Sequence, residues 1–400
     1  MSIAYPDDLK ATIDEMVPDL VATRRDFHEH PELAFEEVRT SGIVAQRLKA
    51  LGLEVETGVA KTGVVGFLRG EKKGLAQGKT LAIRADMDAL PIYELNDIDY
   101  RSQVDGKMHA CGHDGHTAIL LAVADILSKR KAELSGNIKF IFQPAEEVVG
   151  GAEPMIEAGV MQGVDGVIGL HLISGFPMGY VGVREGTVFA SANRFELTVK
   201  GKGGHAAMPD LSIDPVVIAA QIILAMQSLI SRETSPFSPA VVTIASIHAG
   251  TAFNIIPQEV ILQGTMRAYS AEHRQFLLQR IQDVANGISG AMQGSCDINL
   301  TDGIPPCVND PSMTALVRRA AIATVGEAYV SNSEAVMTAG SDDMACFLEK
   351  APGCYFIVGA KNPDKGASYP HHHPRFAIDE EALPIGVEVL TRAALEFLAD

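Results

Sequence analysis

The stretch Met108–Ala118 reads MHACGHDGHTA and places Cys111, His113 and His116, three side chains able to bind a metal ion, close together in the chain. Thiolate and imidazole are donors that zinc and similar divalent cations take from proteins. Residues two apart share a side in an extended chain, so Cys111 and His113 can face one space. Asp114 or Thr117 stands where it could cap a following helix. Taken alone, the stretch also fits a helix start with ordinary surface histidines. A second candidate is Gln143-Pro144-Ala145-Glu146-Glu147, in which adjacent carboxylates follow the apolar run Ile138–Phe142. Carboxylates at the exit of a buried strand are costly unless a cation meets them. One can ligate an ion while its neighbour, held off the metal, takes a proton from water. Alone, however, such a pair suits a solvated helix start. His171 ends a third apolar run, and His371-His372-His373-Pro374 follows a fourth, Tyr355–Ala360.

These signals gain weight from the elements that precede them. Leu53–Val59 and Val64–Leu68 alternate like strands, and Thr80–Met87 is apolar enough for a strand covered on both faces. Asn137–Gln143, Gly166–Leu172 and Tyr355–Gly359 read as further strands. Helical spacing covers about Asp7–Glu29, Glu36–Leu51, Gly115–Lys129, Ala152–Ala158, Pro311–Val325, Ser341–Glu349 and Glu381–Leu398. The alternation predicts an α/β fold, a mostly parallel sheet with flanking helices. Sites in such sheets form at the carboxyl ends of the strands. Cys111, His113, Glu146, Glu147, His171 and one histidine of the triplet all follow strands, so one shared metal site is expected. That many nitrogen, sulfur and oxygen donors exceeds the four of a structural zinc and suits two ions about 3.5–4 Å apart. Asp86 and Asp88, in RADMDALP, could ligate or could orient ligand histidines, and the orienting role is the one expected of Asp88.

After about Arg184 the pattern changes. Asn193–Lys200 reads as a strand, Asp214–Ser231 as a helix, Val241–His248 and Glu259–Tyr269 as strands, Ala271–Met292 as a helix and Asp297–Thr301 as a strand. The order β-α-β-β-α-β is that of a ferredoxin-like α+β unit. We therefore expect a discontinuous metal-binding domain, 1–184 and 297–400, interrupted by an inserted domain, 185–296. A chain of 400 residues is long enough for two cores.

Composition narrows the partners. The 33 basic and 50 acidic residues give a net charge of −17, which argues against nucleic acid. No uninterrupted apolar run approaches the roughly 18 residues of a membrane span. The N-terminal MSIAYPDDLKATIDEM has early acids and lacks an apolar signal core, so a cytoplasmic protein is expected. Five scattered cysteines read as reduced thiols. Gly201-Lys202-Gly203-Gly204-His205-Ala206 matches a dinucleotide fingerprint but no helix start follows it, and Gly74–Thr80 precedes its strand where a phosphate loop would follow one.

RRDFHEHPEL, RADMDALP, MHACGHDGHTA, QPAEE, GLH, GKGGHAAMP, NIIP, GTMR and HHPRF occur here in the order seen in the hippurate hydrolase and indoleacetyl-amino-acid hydrolase family, within the aminoacylase-like metallopeptidase clan. The chain resembles that family over nearly its whole length. The resemblance implies Cys111, His113, Glu147, His171 and His372 as metal ligands, with Cys111 bridging two ions. His372 matches the family's ligand because it stands two residues before Pro374. Glu146 is implied as general base, and His205 and Asn254 as stabilisers of the oxyanion, with the inserted domain as lid and dimerisation domain. The implied chemistry is hydrolysis of the amide bond of a small N-acyl amino acid by a homodimer or higher oligomer. Zinc or manganese is the expected metal, with cobalt or nickel as alternatives. Asp210 stands where many relatives have histidine, and the triplet is longer than the usual pair. A dipeptidase or aminopeptidase on the same scaffold is the alternative, disfavoured by Cys111 in place of a His-x-Asp ligand motif. A non-catalytic metal-binding protein is a third, opposed by the extra carboxylate of Glu146.

Overall fold

The computed structural model describes residues 8–301 and 303–399. Contacts divide the chain into two compact units, Met1–Val188 with Val308–Met337 and Asp342–Asp400, and Phe189–Cys307 with Thr338–Ser341. The first unit is built on a sheet of eight strands. Its chain order begins with α1 (Leu9–Glu29), α2 (Val38–Ala50), β1 (Glu54–Val59), β2 (Gly63–Arg69), β3 (Thr80–Asp86), α3 (His113–Lys129), β4 (Asn137–Gln143) and β5 (Gly166–Pro177). The start expected for α1 at Asp7 lies outside the described residues. Across the sheet the order is β1, β2, β4, β3, β5 and then Gly353–Lys361, followed by two short strands, Val181–Gly182 and Val330–Ser331. β4, β3, β5 and Gly353–Lys361 run parallel, while β1 and β2 add an antiparallel hairpin at one edge.

The parallel block is where both faces are covered. Every residue of β3 is buried, including Arg84 and Asp86. α3 is buried along nearly its whole length, because Ile119, Leu120, Val123, Ile126 and Leu127 join the core that also contains Leu81, Ile83, Phe140, Ile168 and Leu170. Burial on all sides explains why these strands read as apolar runs and lack a polar alternation. β5 extends past the expected end at Leu172 to Pro177, because Gly353–Lys361 pairs with it in register from Val167 to Ile173 and again at Pro177. His171 therefore sits inside a strand, at the level where neighbouring β3 ends.

The second unit has its own four-stranded antiparallel sheet, in the order Ala240–Ala249, Glu259–Ala268, Asn193–Lys200, Ser295–Leu300. Two helices, Pro215–Ser228 and Ala271–Ala291, contribute Ile218, Ile222, Met226, Leu277 and Ile281 to a core with Phe195, Leu197 and Leu262. The expected border at 296/297 cuts through the strand Ser295–Leu300. That strand pairs with Asn193–Lys200, so the unit continues to Cys307. One segment, Pro215–Glu233, is long and apolar enough by length and composition to cross a membrane, although Gln221 and Gln227 interrupt its apolar run. One face of it packs into this unit's core through Ile218, Ala219, Ile222, Met226 and Leu229.

Candidate metal centre

The turn into α3 brings thiol and imidazole together. Gly112 has φ 93°, a left-handed conformation that costs glycine little, and it serves as N-cap of the helix that begins at His113. Neither Asp114 nor Thr117 caps that helix. The Asp114 carboxylate faces Arg24 and His28 instead, each at 2.8 Å, and the Thr117 hydroxyl donates to the Asp86 carbonyl. His113 Nδ1 lies 2.9 Å from the Asp88 carbonyl oxygen, so Nδ1 is the protonated nitrogen and Nε2 carries a lone pair. His116 is different. Its Nδ1 pairs with Asp86 at 2.6 Å and its Nε2 accepts the Leu172 amide at 2.9 Å, which leaves neither nitrogen for a metal. Asp86 is likewise engaged, between His116 and Arg84.

The Glu146–Glu147 turn is braced from two sides. The Asp88 carboxylate accepts the Glu146 amide through one oxygen and the Glu147 amide through the other, both at 3.0 Å. The Glu37 carboxylate accepts the Ala145 amide at 2.9 Å and a hydrogen bond from Thr62. Ala145 is held at φ 56°, a strained value for a residue with a Cβ, immediately before the glutamate pair. The chain can close around this turn because Gly151 has no Cβ, which would fall 1.7 Å from the Pro144 carbonyl oxygen.

Cys111 is shared by two sets of potential ligand atoms, one with His113 and Glu147, the other with His171 and His371. Its sulfur is 3.6 Å from His171 Nε2 and 3.6 Å from His371 Nδ1. His171 Nδ1 donates to the Leu172 carbonyl, which directs an unprotonated Nε2 toward the sulfur. His372 Nε2 lies 3.4 Å from one Glu147 oxygen. His372 is more exposed than the others, has φ 63°, and its amide is tied to the Ala110 carbonyl. The other Glu147 oxygen faces His113 Nε2 at 3.9 Å, and both of these atoms are buried without a hydrogen-bond partner. Buried polar atoms are normally satisfied, so a facing pair of orphans next to a thiol is the signature of a cation seat. The donors present fit two divalent ions.

Electrostatics agree with that reading. Burial raises the Cys111 thiol well above its ordinary range, with Glu147 adding to the effect, so a thiolate here needs a cation beside it. Burial would also raise Glu147, but His372 and His113 hold it below the usual carboxylate value. Glu146 goes the other way. Burial, then Asp342, Asp343 and Glu147, raise its proton affinity well above that of a free glutamate. Its carboxylate clusters with Asp342 and Asp343 and belongs to neither set around Cys111.

Asp342 and Asp343 lie in Ser341–Glu349, which helical spacing alone assigns to a helix and not to a site. The helix begins only at Met344, whose amide is accepted by the Asp342 side chain. Both carboxylates turn inward to Arg84, at 3.3 and 2.9 Å, and Tyr355 donates to Asp342. An adjacent acidic pair behind a Gly-Ser step was the available signal. His205 and Asn254 both lie in the second unit, side by side through the Ala206 amide and the Asn254 carbonyl, and both are exposed. His205 pairs with Ile255 in a short antiparallel bridge, and its Nδ1 accepts the Ala207 amide, which leaves the proton on Nε2.

The model of peptidase family M20/M25/M40 matches residues 82–396. Thermostable carboxypeptidase 2 of Saccharolobus solfataricus is 42% identical over 397 residues, 98% of each chain. N-acetylcysteine deacetylase of Bacillus subtilis is 41% identical, covering 94% of this chain and 96% of the relative. IAA-amino acid hydrolase ILR1-like 2 of Arabidopsis thaliana is 38% identical over 95% of this chain and 85% of its own length. Among solved structures, the YXEP protein of Bacillus subtilis, a dinuclear metal-binding peptidase of the M20 family, superposes with a TM-score of 0.84 at 36% identity, covering 96% of this chain and 99% of that one.

Proposed function

The chain belongs to peptidase family M20/M25/M40 and is a metal-dependent amide or peptide hydrolase; on that premise we propose that it cleaves the amide bond of small N-acyl amino acids, with Glu146 as general base. Cys111, His113, Glu147, His171 and His372 are the proposed ligands of two divalent ions, zinc or manganese in the first instance. When bound, such ions lower the pKa of a water and polarise the scissile carbonyl. Glu146 accepts the proton of the attacking water and delivers it to the leaving amine. Asp88 holds the amides of both glutamates, so the base and the neighbouring ligand keep a fixed relation during turnover. His205 Nε2–H and Asn254 are the proposed donors to the oxyanion. The observation that carries the reading is one buried carboxylate, Glu146, which belongs to neither set around Cys111 while its neighbour Glu147 belongs to one.

Glu146→Gln is expected to retain two ions per chain while kcat falls by about 10²–10⁴-fold, the usual worth of a general base. Near-normal turnover in that variant would remove Glu146 from its role. A second reading, carboxypeptidase action on short peptides, is supported by the name of the Saccharolobus relative. Both substrates present an amide whose amine side is an amino acid with a free carboxylate. Assays of acetyl- and benzoyl-amino acids beside dipeptides and acyl-dipeptides separate the two.

We further propose a homodimer formed through the second unit. Among the described residues, its edge strand Ala240–Ala249 has one unpaired side, and the adjoining helix Pro215–Ser228 exposes Val217 and Leu224, the latter 66% accessible. Exposed edges and apolar stripes are normally covered. Sedimentation at micromolar concentration as a monomer would refute it.

A further inference from the structure

The histidine triplet holds two histidines near the sulfur and the carboxylate, and hydrogen-bond partners separate their roles. His371 Nε2 accepts the backbone amide of Ser174 at 3.2 Å. A ring nitrogen that accepts an N–H is unprotonated, so the single proton of the neutral ring sits on Nδ1. Nδ1 is the atom 3.6 Å from Cys111 Sγ. His171 approaches the same sulfur at the same distance with the opposite tautomer, because its Nδ1 donates to the Leu172 carbonyl. One imidazole therefore presents a lone pair to the space beside the sulfur, and the other presents an N–H.

The ring of His371 has little freedom to exchange these roles. It stands edge-on to His171, centroids 5.2 Å apart at 76°, and packs on Phe376 at 4.8 Å. The Ser174 amide that fixes its Nε2 belongs to β5, the strand that carries His171. Moving the ring proton to Nε2 would set an N–H of His371 against the Ser174 N–H, and turning the ring over would put a carbon there in place of the acceptor. The set Cys111, His171 and His371 thus satisfies distance for metal binding but not proton placement.

From this we infer that His371 is a positioning residue for the metal centre, donating Nδ1–H to the sulfur of Cys111, and is not itself a ligand. The inference rests on the two-metal reading above and deepens it. A hydrogen bond to a thiolate withdraws charge from the sulfur and fixes the direction of its remaining lone pairs. Partners of this kind, one bond removed from the ion, commonly change metal affinity by about 10–100-fold.

The test uses full-length protein stripped with chelator and titrated with Co²⁺, reading metal content, Co²⁺ affinity and the thiolate-to-cobalt charge-transfer band. Wild type is compared with His371→Phe, His371→Asn and His372→Ala. His371→Phe keeps a ring but no donor and is expected to bind two ions at saturation, with affinity lowered about 10–100-fold and the band moved to longer wavelength. His371→Asn places an amide N–H near the Nδ1 position and is expected to return the band toward wild type. His372→Ala is expected to lose an ion outright. If His371→Phe also loses an ion, His371 is a ligand and the inference fails. An unmoved band in a two-ion His371→Phe protein overturns it equally. Should the Phe variant not fold, His371→Leu gives the same readouts. Wild-type protein that takes up no cobalt, zinc or manganese would instead sink the two-metal reading, and this inference with it.

Discussion

The two units differ most in how they hold their histidines. In the first, the imidazoles of His113, His116 and His171 each have one nitrogen assigned by a backbone or carboxylate partner inside the fold. The turn bearing Glu146 and Glu147 is gripped by Asp88 at successive amides. In the second unit His205 lies exposed on a two-residue strand, with a single amide from its own loop fixing its tautomer. The contrast matches two demands. Ions require donors set to within a fraction of an ångström, which buried partners supply. A group that meets a substrate only as charge develops can be carried on a surface loop and completed by what binds.

If that contrast is sound, damage beneath the metal-binding turn acts on stability, and the largest effect is expected at Asp114. It is wholly buried and pairs with Arg24 and His28, while the other nitrogen of His28 meets Glu94. Burial would raise the Asp114 carboxyl, but Arg24 and His28 hold it well below the ordinary carboxylate range. For a carboxylate depressed in the folded state, the stabilisation is present above the unfolded pKa and drains away as pH falls toward the folded one. Asp114→Asn leaves Arg24 and His28 without their shared partner and is expected to cost about 3–5 kcal/mol at pH 7. The gap from wild type should narrow only below about pH 4. Urea titrations of metal-depleted protein at several pH values check this. A gap constant from pH 7 to 3 would show that charge pairing is not its origin.

The donors are legible in the sequence because Cys and His are few, and because they and the adjacent glutamate pair follow apolar runs that could only be buried strands. The sequence did not reveal which nitrogen of each ring would be protonated. His116 looked as able to bind metal as His113, yet the Leu172 amide and Asp86 occupy both its nitrogens. That fact depends on β5 lying beside β3, a pairing set by tertiary packing and invisible to local pattern. The same limit hid Asp342 and Asp343, which local spacing assigned to a helix and which Arg84, far away in the chain, draws inward. Strand alternation and helical spacing recovered most elements because amphipathic periodicity is local. The unit border was misplaced by about ten residues, since a strand's membership depends on its partner. Ser295–Leu300 belongs with Asn193–Lys200 through hydrogen bonds that no single segment encodes.

The exposed side of the comparison is sharpened by His205→Ala, where the expected loss is smaller and of another kind. Nδ1 of His205 accepts the Ala207 amide, so Nε2 bears the proton and can donate. An oxyanion donor acts on the transition state, and removing one typically costs about 2.7–4 kcal/mol, a fall in kcat of about 10²–10³-fold. No proposed metal ligand lies in that loop, so metal content and unfolding midpoint should stay at wild-type values. His205→Asn, which keeps an N–H on a shorter side chain, should recover part of the loss, whereas His205→Gln should recover more because its amide reaches the Nε2 position. Steady-state kinetics on acetyl- and benzoyl-amino acids, with metal analysis of the same samples, give the answer. If His205→Ala lost metal along with activity, the division of labour between a braced ion-holding unit and an adaptable second unit would be wrong. If it lost neither, the second unit would contribute no donor at this position, and its role would rest on assembly alone.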